Sequence, residues 1–541
     1  MKSLFKTMLL ATSASVVLFS CTDLDEELVG DITTAVSVDA PASAGSGSGG
    51  GDALAGAYAE LRNSGTANHF SYFSLNGISS DEMTIAAKGG DWYDGGVLIK
   101  VHQHTYEPTN GMVGNAWNGQ YGAIGNINDA IANLDLDSAQ IAQLKALRAY
   151  FYWRLLDMFG NVKIVTKPGQ VATQSNPQQV FDFIETELLS TLGVSAITAS
   201  MDLSQSSLGL EANAYRINRY AALGILAKLY LNSEANTGVA KYQEAHDAAD
   251  YIITNGPYSL SDSSVSVPNL GKRPAVDSDP NTLTGYAAVF APNNQGNPEH
   301  IFTVNYDEAT AGGMNFAKMS LHYASQFTWN FQDQPWNGYA ALEDFYNSYE
   351  AGDLRRANNF IVGAQLDFGG SAVLDYASDD GDPPLVYTPN INELQPNALR
   401  EGGARLGKFS FQQFGRPDQN NDFPIIRLGD VHLVRAEAKA RVVGNWSDAA
   451  TLADVNAIRA RAGVPAFTSM TAADGDNSFL KERGREMFQE SSRRTDLIRF
   501  GKWTSSWWEK PAEADDHTAL FPIPFDQIQA GDGSLEQNPG Y

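Results

Sequence analysis

The chain holds a single cysteine, Cys21, in 541 residues. A lone thiol has no internal disulfide partner, so its chemistry is that of one nucleophilic sulfur. Four carboxylates follow it closely, at Asp23, Asp25, Glu26 and Glu27. A second group of residues suits non-covalent chemistry. In "SSDEMTIAAKGGDWYDGGVLIK", Trp92 and Tyr93 lie between Asp91 and Asp94 in a glycine-rich stretch. In "LHYASQFTWNFQDQPWNGY", Tyr323, Trp329, Trp336 and Tyr339 are interleaved with Asn330, Gln332, Gln334 and Asn337. Flat aromatic faces stack on apolar ring surfaces, while short amides and carboxylates hydrogen-bond to hydroxyls. A sugar offers both kinds of surface, so these seven residues are the candidate ligand contacts: Asp91, Trp92, Tyr93, Asp94, Tyr323, Trp329 and Trp336.

Catalytic and metal chemistry find weaker support. "VHQHTY" would put His102 and His104 on one face of a strand, as in a metal pair, but no third ligand is near. "DQNNDF" begins like a calcium loop at Asp418, Asn420 and Asp422, yet Phe423 stands where glycine is needed. Asp81, Glu82, Asp91 and Asp94 are the carboxylates a glycoside hydrolase would draw on, two of them flanking a cleft. The G-x-S-x-G and H-E-x-x-H patterns are absent. No catalytic residue, metal or cofactor is expected.

These groups need elements to hold them. "MKSLFKTMLLATSASVVLFS" has Lys2 and Lys6 before an apolar run from Met8 to Phe19. The run is shorter than the roughly 20 residues of a membrane-spanning helix and reads as a secretory signal over 1–20. Leu18, Phe19, Ser20 and Cys21 fit the lipobox of bacterial lipoproteins, in which the thiol takes a diacylglycerol and becomes the new N-terminus. The acidic residues after Cys21 are similar to the tag that sends lipoproteins of the Bacteroidota to the outer face of the outer membrane. Residues 21–51 then form an acylated flexible tether, ending in "PASAGSGSGGG". The formal net charge of −26 repels phosphate backbones, so nucleic acid is not an expected partner.

Helical spacing dominates residues 52–256, with Asp52 as a cap for the first helix. Trp117, Tyr121, Ile124, Ile127 and Ile131 form one stripe; Ile141, Leu144, Leu147, Phe151, Leu155 and Met158 form another, stopped by Gly160 and Asn161. The loop 79–100 interrupts this scaffold. Over 257–422 the pattern turns irregular, rich in Gly, Pro, Asn and Asp. Helical spacing returns over 423–541. The expected fold class is mostly α: a tetratricopeptide-like scaffold of helical pairs carrying a long irregular α/β insertion.

Several stretches together resemble the SusD/RagB family of outer-membrane nutrient-binding lipoproteins. They are "LRAYFYWRLLDMFGNVKIVT", "YRINRYAALGILAKLYL", "DFPIIRLGDVHLVRAEAKAR", "VNAIRARAGVP", "KERGREMFQESSRRTDLIRFGKW" and "FPIPFDQIQAGDGSLEQNPGY". The resemblance implies a SusD-like surface protein with no catalysis of its own. It would bind a glycan on an irregular ligand-facing region and pass it to a SusC-like TonB-dependent transporter. Loop 79–100 and insertion 257–422 would form that region. The RagB branch takes peptides, so a peptide or glycoprotein is the alternative ligand. The strong acidity disfavours a polyanion, and cations are sparse near the candidate aromatics, Lys88, Lys100 and Lys318 being the nearest, which favours a neutral glycan, with a β-glucan such as laminarin as the specific expectation. Arg148, Arg154, Arg427, Glu437, Arg459, Glu482 and Glu486, at helical spacings among apolar residues, read as buried ion pairs between helices.

Overall fold

Helix Ser138–Phe159 starts where Asp137 accepts the Gln140 N–H and the Gln140 side chain answers back to the Asp137 N–H, a reciprocal cap. It ends at Gly160, whose φ of 65° no side-chain-bearing residue adopts easily. Leu144, Leu147, Phe151, Leu155 and Met158 are buried, and Ile141 is half-buried. The same logic sets helix Gly111–Asn133, capped by Asn110, with Trp117, Ile124 and Ile127 inward. The computed structural model describes residues 53–210, 213–267, 282–310, 312–378 and 380–541. Cys21, its signal and tether, and the Asp52 cap lie outside the described residues.

The helices pack as a chain of neighbours. Gly111–Asn133 lies on Ser138–Phe159, which lies on Pro177–Leu192; Arg219–Leu231 and Tyr242–Asn255 follow. Leu428–Val443 then docks on Tyr242–Asn255 and carries Ala449–Arg461 on its other side, so the stack resumes after the insertion. The fold is mostly α, with short strands. No helix among the described residues is long and apolar enough to cross a membrane.

Two strand pairings tie the insertion to this stack. His300–Val304 runs antiparallel to Phe423–Arg427, with bulges that bend the second strand. A Cβ at Gly224 would come within 2.5 Å of the Ile426 side chain, so glycine there lets helix Arg219–Leu231 press on that strand. Met83–Thr84 pairs with Ala340–Ala341, which pairs with Ala404–Leu406 and, beyond it, Phe360–Ile361, in one four-stranded sheet. The insertion also has its own apolar core, including Leu321, Trp329, Phe331, Tyr387 and Phe411.

The seven charged residues expected between helices are all buried. Arg148 holds Glu187, and Arg459 holds Glu482. Glu437 takes Arg441 and Arg499. Arg154 instead bonds to the hydroxyls of Ser64 and Thr66 and lies 3.9 Å over the Tyr72 ring. Such pairs lock helix orientation while contributing little net free energy, because desolvation offsets attraction.

Glu82 immediately precedes the strand Met83–Thr84 and is 1% exposed. Burial pushes its carboxyl up to about 8, against the pull of Arg493. The folded state therefore holds a proton there that the unfolded chain releases near the ordinary carboxylate value. This group's contribution is intact below the unfolded value and is lost as pH rises through the folded one. Glu82→Gln is expected to be more stable than the parent at pH 8 by on the order of 2–3 kcal/mol, with the gap closing by pH 4.5. Urea titrations at the two pH values check this; a gap that does not change with pH refutes it.

Candidate functional site

The short pair Met83–Thr84 and Ala340–Ala341 brings the two candidate segments side by side. Beyond it, Lys88 and Asp91 close a tight turn, Lys88 N–H to the Asp91 carbonyl at 2.8 Å. The chain then places Trp92 at φ 60°, a conformation rare for a bulky residue and held only by strong surroundings. Those surroundings are visible. The Trp92 indole N–H donates to the Trp336 carbonyl at 2.5 Å. Its ring presses on Gly338, where a Cβ would come within 2.5 Å of the indole. His69 sets its edge against both indoles, 5.3 Å from Trp92 and 5.7 Å from Trp336. Burial lowers the His69 pKa, opposed by Asp94, so at neutral pH the ring is an uncharged spacer.

Trp336 keeps 37% of its surface open and Tyr93 keeps 46%. The Trp336 N–H donates to the Lys318 carbonyl at 2.6 Å, and the Lys318 ammonium lies 5.0 Å from the Trp336 ring centre. Lys318 is itself paired with Asp418. Tyr93 follows Trp92 in the chain, and the Trp336 carbonyl is held by the Trp92 indole, so both open rings are carried on backbone that adjoins one buried side chain. Asp91 and Asp94 are exposed beside them.

Two expected contacts are corrected. Trp329 is 3% exposed, stacked on Phe331 and edge-on to Phe411 in the insertion's core, so it has no face to offer a ligand. Trp92 is 8% exposed and acts as a brace for its neighbours rather than a stacking platform. Tyr323 is half-buried against His322, away from the Trp92 cluster's ring contacts. The strand on which "VHQHTY" would have paired its histidines does not form: Val97–His102 is a helix, and the two histidines go to different partners. His102 donates to the Trp508 carbonyl, while His104 meets Glu513 and the Ser79 carbonyl.

The structure adds rings that the sequence reading passed over. Phe327 and Tyr376 meet edge to face, as do Phe368 and Phe414, the latter pair 4.9 Å apart. The Phe368 N–H donates to the Phe327 carbonyl, joining the two pairs into one exposed ridge on the insertion. The Tyr376 hydroxyl reaches Gln334 at 3.3 Å, two positions from Trp336. The available signal was "LDFGGSAVLDY", where aromatics again stand among Gly and Asp.

The four carboxylates weighed for hydrolysis do not converge. Asp81 is clasped by Arg493 at 2.6 and 2.8 Å, Glu82 is buried, and Asp91 and Asp94 sit across the strand pair on an open turn. Among the described residues no group of three or more His, Cys, Asp or Glu side chains is placed to hold a metal ion.

Two family models match in chain order, one described as "Starch-binding associating with outer membrane" over residues 60–231 and one as "SusD family" over 298–541. The chain belongs to the SusD/RagB family. Its SusD-family relatives include the starch-binding protein SusD of Bacteroides thetaiotaomicron, 24% identical over 444 residues that cover 74% of this chain and 73% of that one. SusD-like protein P25 of Formosa agariphila is 23% identical over 79% of this chain and 80% of its own length. Among solved SusD-like structures, a laminarin binding SusD-like protein superposes with a TM-score of 0.63 at 23% identity, over 90% of this chain and 98% of that one. Surface glycan-binding protein A from Bacteroides thetaiotaomicron in complex with laminarihexaose gives 0.66 at 20% identity, with the same coverage. At these identities the structural likeness is one of fold.

Proposed function

We propose that this chain is a cell-surface lipoprotein that captures a polysaccharide or oligosaccharide on the Tyr93–Trp336 face and passes it to a SusC-like TonB-dependent transporter. It performs no catalysis of its own. Cys21 would carry the lipid that holds it on the outer membrane. Several acyl chains, each contributing about 0.8 kcal/mol per buried methylene, give a durable anchor. The observation that carries the reading is the pair of open rings, Tyr93 and Trp336, carried on backbone that adjoins the buried Trp92 indole, beside exposed Asp91 and Asp94. Rigid aromatic faces bind a sugar with little ordering cost. Relatives named for binding starch and laminarin support a glucan. A β-glucan of the laminarin type is the first ligand we propose.

The test is a calorimetric titration of the mature chain carrying Cys21→Ser against laminarin, soluble starch, xylan and mannan. One neutral polysaccharide is expected to bind in the micromolar range, about −8 kcal/mol. Trp336→Ala and Tyr93→Ala are each expected to cost about 2 kcal/mol, roughly thirtyfold. Binding that both variants leave intact would remove the face from the mechanism. If the whole panel fails and peptides bind, the peptide reading replaces it.

A further inference from the structure

The strand pair that carries the Trp92 turn at one end opens at its other end onto a cleft of about 660 Å³. That volume falls within the roughly 300–1,000 Å³ of small-molecule sites. Asp81 and Leu342, which flank the strand pair, lie on its wall, with Phe345 and Tyr349 beside them. The segment carrying Trp507 and Trp508, both half-buried, also lines it as a second wall.

This second wall is rigid. Trp507 and Lys510 exchange backbone hydrogen bonds at 3.1 and 3.0 Å across a tight turn. The Lys510 ammonium is buried beneath it, bonded to the Trp503 and Ser505 carbonyls and 4.1 Å from the Trp507 ring centre. His102 donates to the Trp508 carbonyl at 2.8 Å and Gln103 to that of Glu509 at 3.2 Å. Two indoles are thus held in place at a cleft mouth without needing a ligand to order them.

The charges say what kind of ligand fits. Arg493 is clasped by Asp81, Arg485 by Glu350 and Glu482, and Lys481 by Asp476. With each cation already neutralised, the cleft has no strong claim on an anion. The carboxylates of Asp81, Glu350 and Asp476 are engaged by the same pairings, which disfavours a cation. What remains is apolar indole surface beside Asp344, Asn347 and Ser348, short polar groups suited to hydroxyls.

We infer that this cleft is a second carbohydrate site, taking a short neutral oligosaccharide against Trp507 and Trp508. The inference rests on the glycan reading above. Two sites on one chain would hold a long polysaccharide by effective concentration, without either gripping tightly.

The experiment is a calorimetric titration of the mature Cys21→Ser chain with laminarihexaose, maltohexaose and mannohexaose as probes. The parent is expected to bind two molecules of one hexaose per chain. Trp508→Ala, which keeps the backbone carbonyl that His102 uses, and Asp344→Ala are each expected to leave one. Trp336→Ala should remove the other site and leave the cleft's. Circular dichroism confirms that each variant is folded. A parent with one site, lost in Trp336→Ala and untouched by Trp508→Ala, overturns the cleft while the first face stands. A single site lost only in Trp508→Ala supports the cleft and overturns the first face. No binding of any hexaose overturns both.

Discussion

Glu486→Ala is expected to cost about 3–5 kcal/mol, a large part of the 5–15 kcal/mol that holds a typical domain together. The carboxylate is 0% exposed and receives Arg427 at 2.8 Å, Arg355 at 3.2 Å and Arg461. Burial alone would raise its pKa; Arg461, Arg427 and Arg355 overrule burial and hold it well below the ordinary carboxylate range. These three cations come from the strand Phe423–Arg427, the helix Ala449–Arg461 and the insertion helix Leu354–Asn359. Removing the anion leaves the three guanidinium groups facing one another with Glu299, Asp353, Glu482 and Glu490 as remaining counter-charges. Urea unfolding at pH 7 measures the loss. Since the folded carboxyl titrates below its unfolded value, the parent's advantage is full above about 4.5 and shrinks as pH falls. A variant that melts with the parent at pH 7 would falsify the view that this network is held together by its anions.

Trp92→Ala is expected to remove glycan binding although Trp92 itself offers a ligand almost no surface. Truncating a buried indole costs about 3–5 kcal/mol through lost burial and the cavity left behind. Here the loss falls on the positioning of other rings. Trp336 would lose the donor at its carbonyl, His69 one of its three aromatic neighbours, and Gly338 the ring it packs on. Trp92→Phe separates the two roles. It keeps most of the volume but leaves the Trp336 carbonyl without its donor, a change worth about 1–3 kcal/mol if the carbonyl stays buried. The expected order of polysaccharide affinity is parent, then Trp92→Phe, then Trp92→Ala with binding lost. Thermal melts of the same variants report the packing loss separately. Parent-like affinity in Trp92→Ala would show that Tyr93 and Trp336 hold their positions unaided.

The long helices were legible because their apolar stripes, caps and stops all agree, as at Asp137, Leu147 and Gly160. The buried charges were legible too, since Arg and Glu at helical spacing among apolar residues have few other ways to be satisfied. The candidate ligand face was legible only by region. Its failure at Trp329 has a simple cause. Ser325–Trp329 is one short helical turn, in which residues two apart point to nearly opposite sides. Phe327 therefore stands 53% exposed while Trp329 is 3% exposed. The amide-rich pattern around them marks a surface turn without saying which ring faces out. The brace at Trp92 depends on a hydrogen bond spanning 244 positions, and no local pattern encodes that.

The return of helix Leu428–Val443 to the flank of Tyr242–Asn255 means that the stack is continuous across the excursion that separates them. The excursion leaves and re-enters beside paired strands, His300–Val304 and Phe423–Arg427. Its two ends are thereby pinned together by the scaffold rather than by its own contents. The segment between residues 305 and 422 is thus a loop closed at its base yet keyed to the frame within its length: any replacement would have to bring its own partners for Met83–Thr84 and for the buried carboxylates of Glu482 and Glu486, which Ala340–Ala341 and Arg355 now supply.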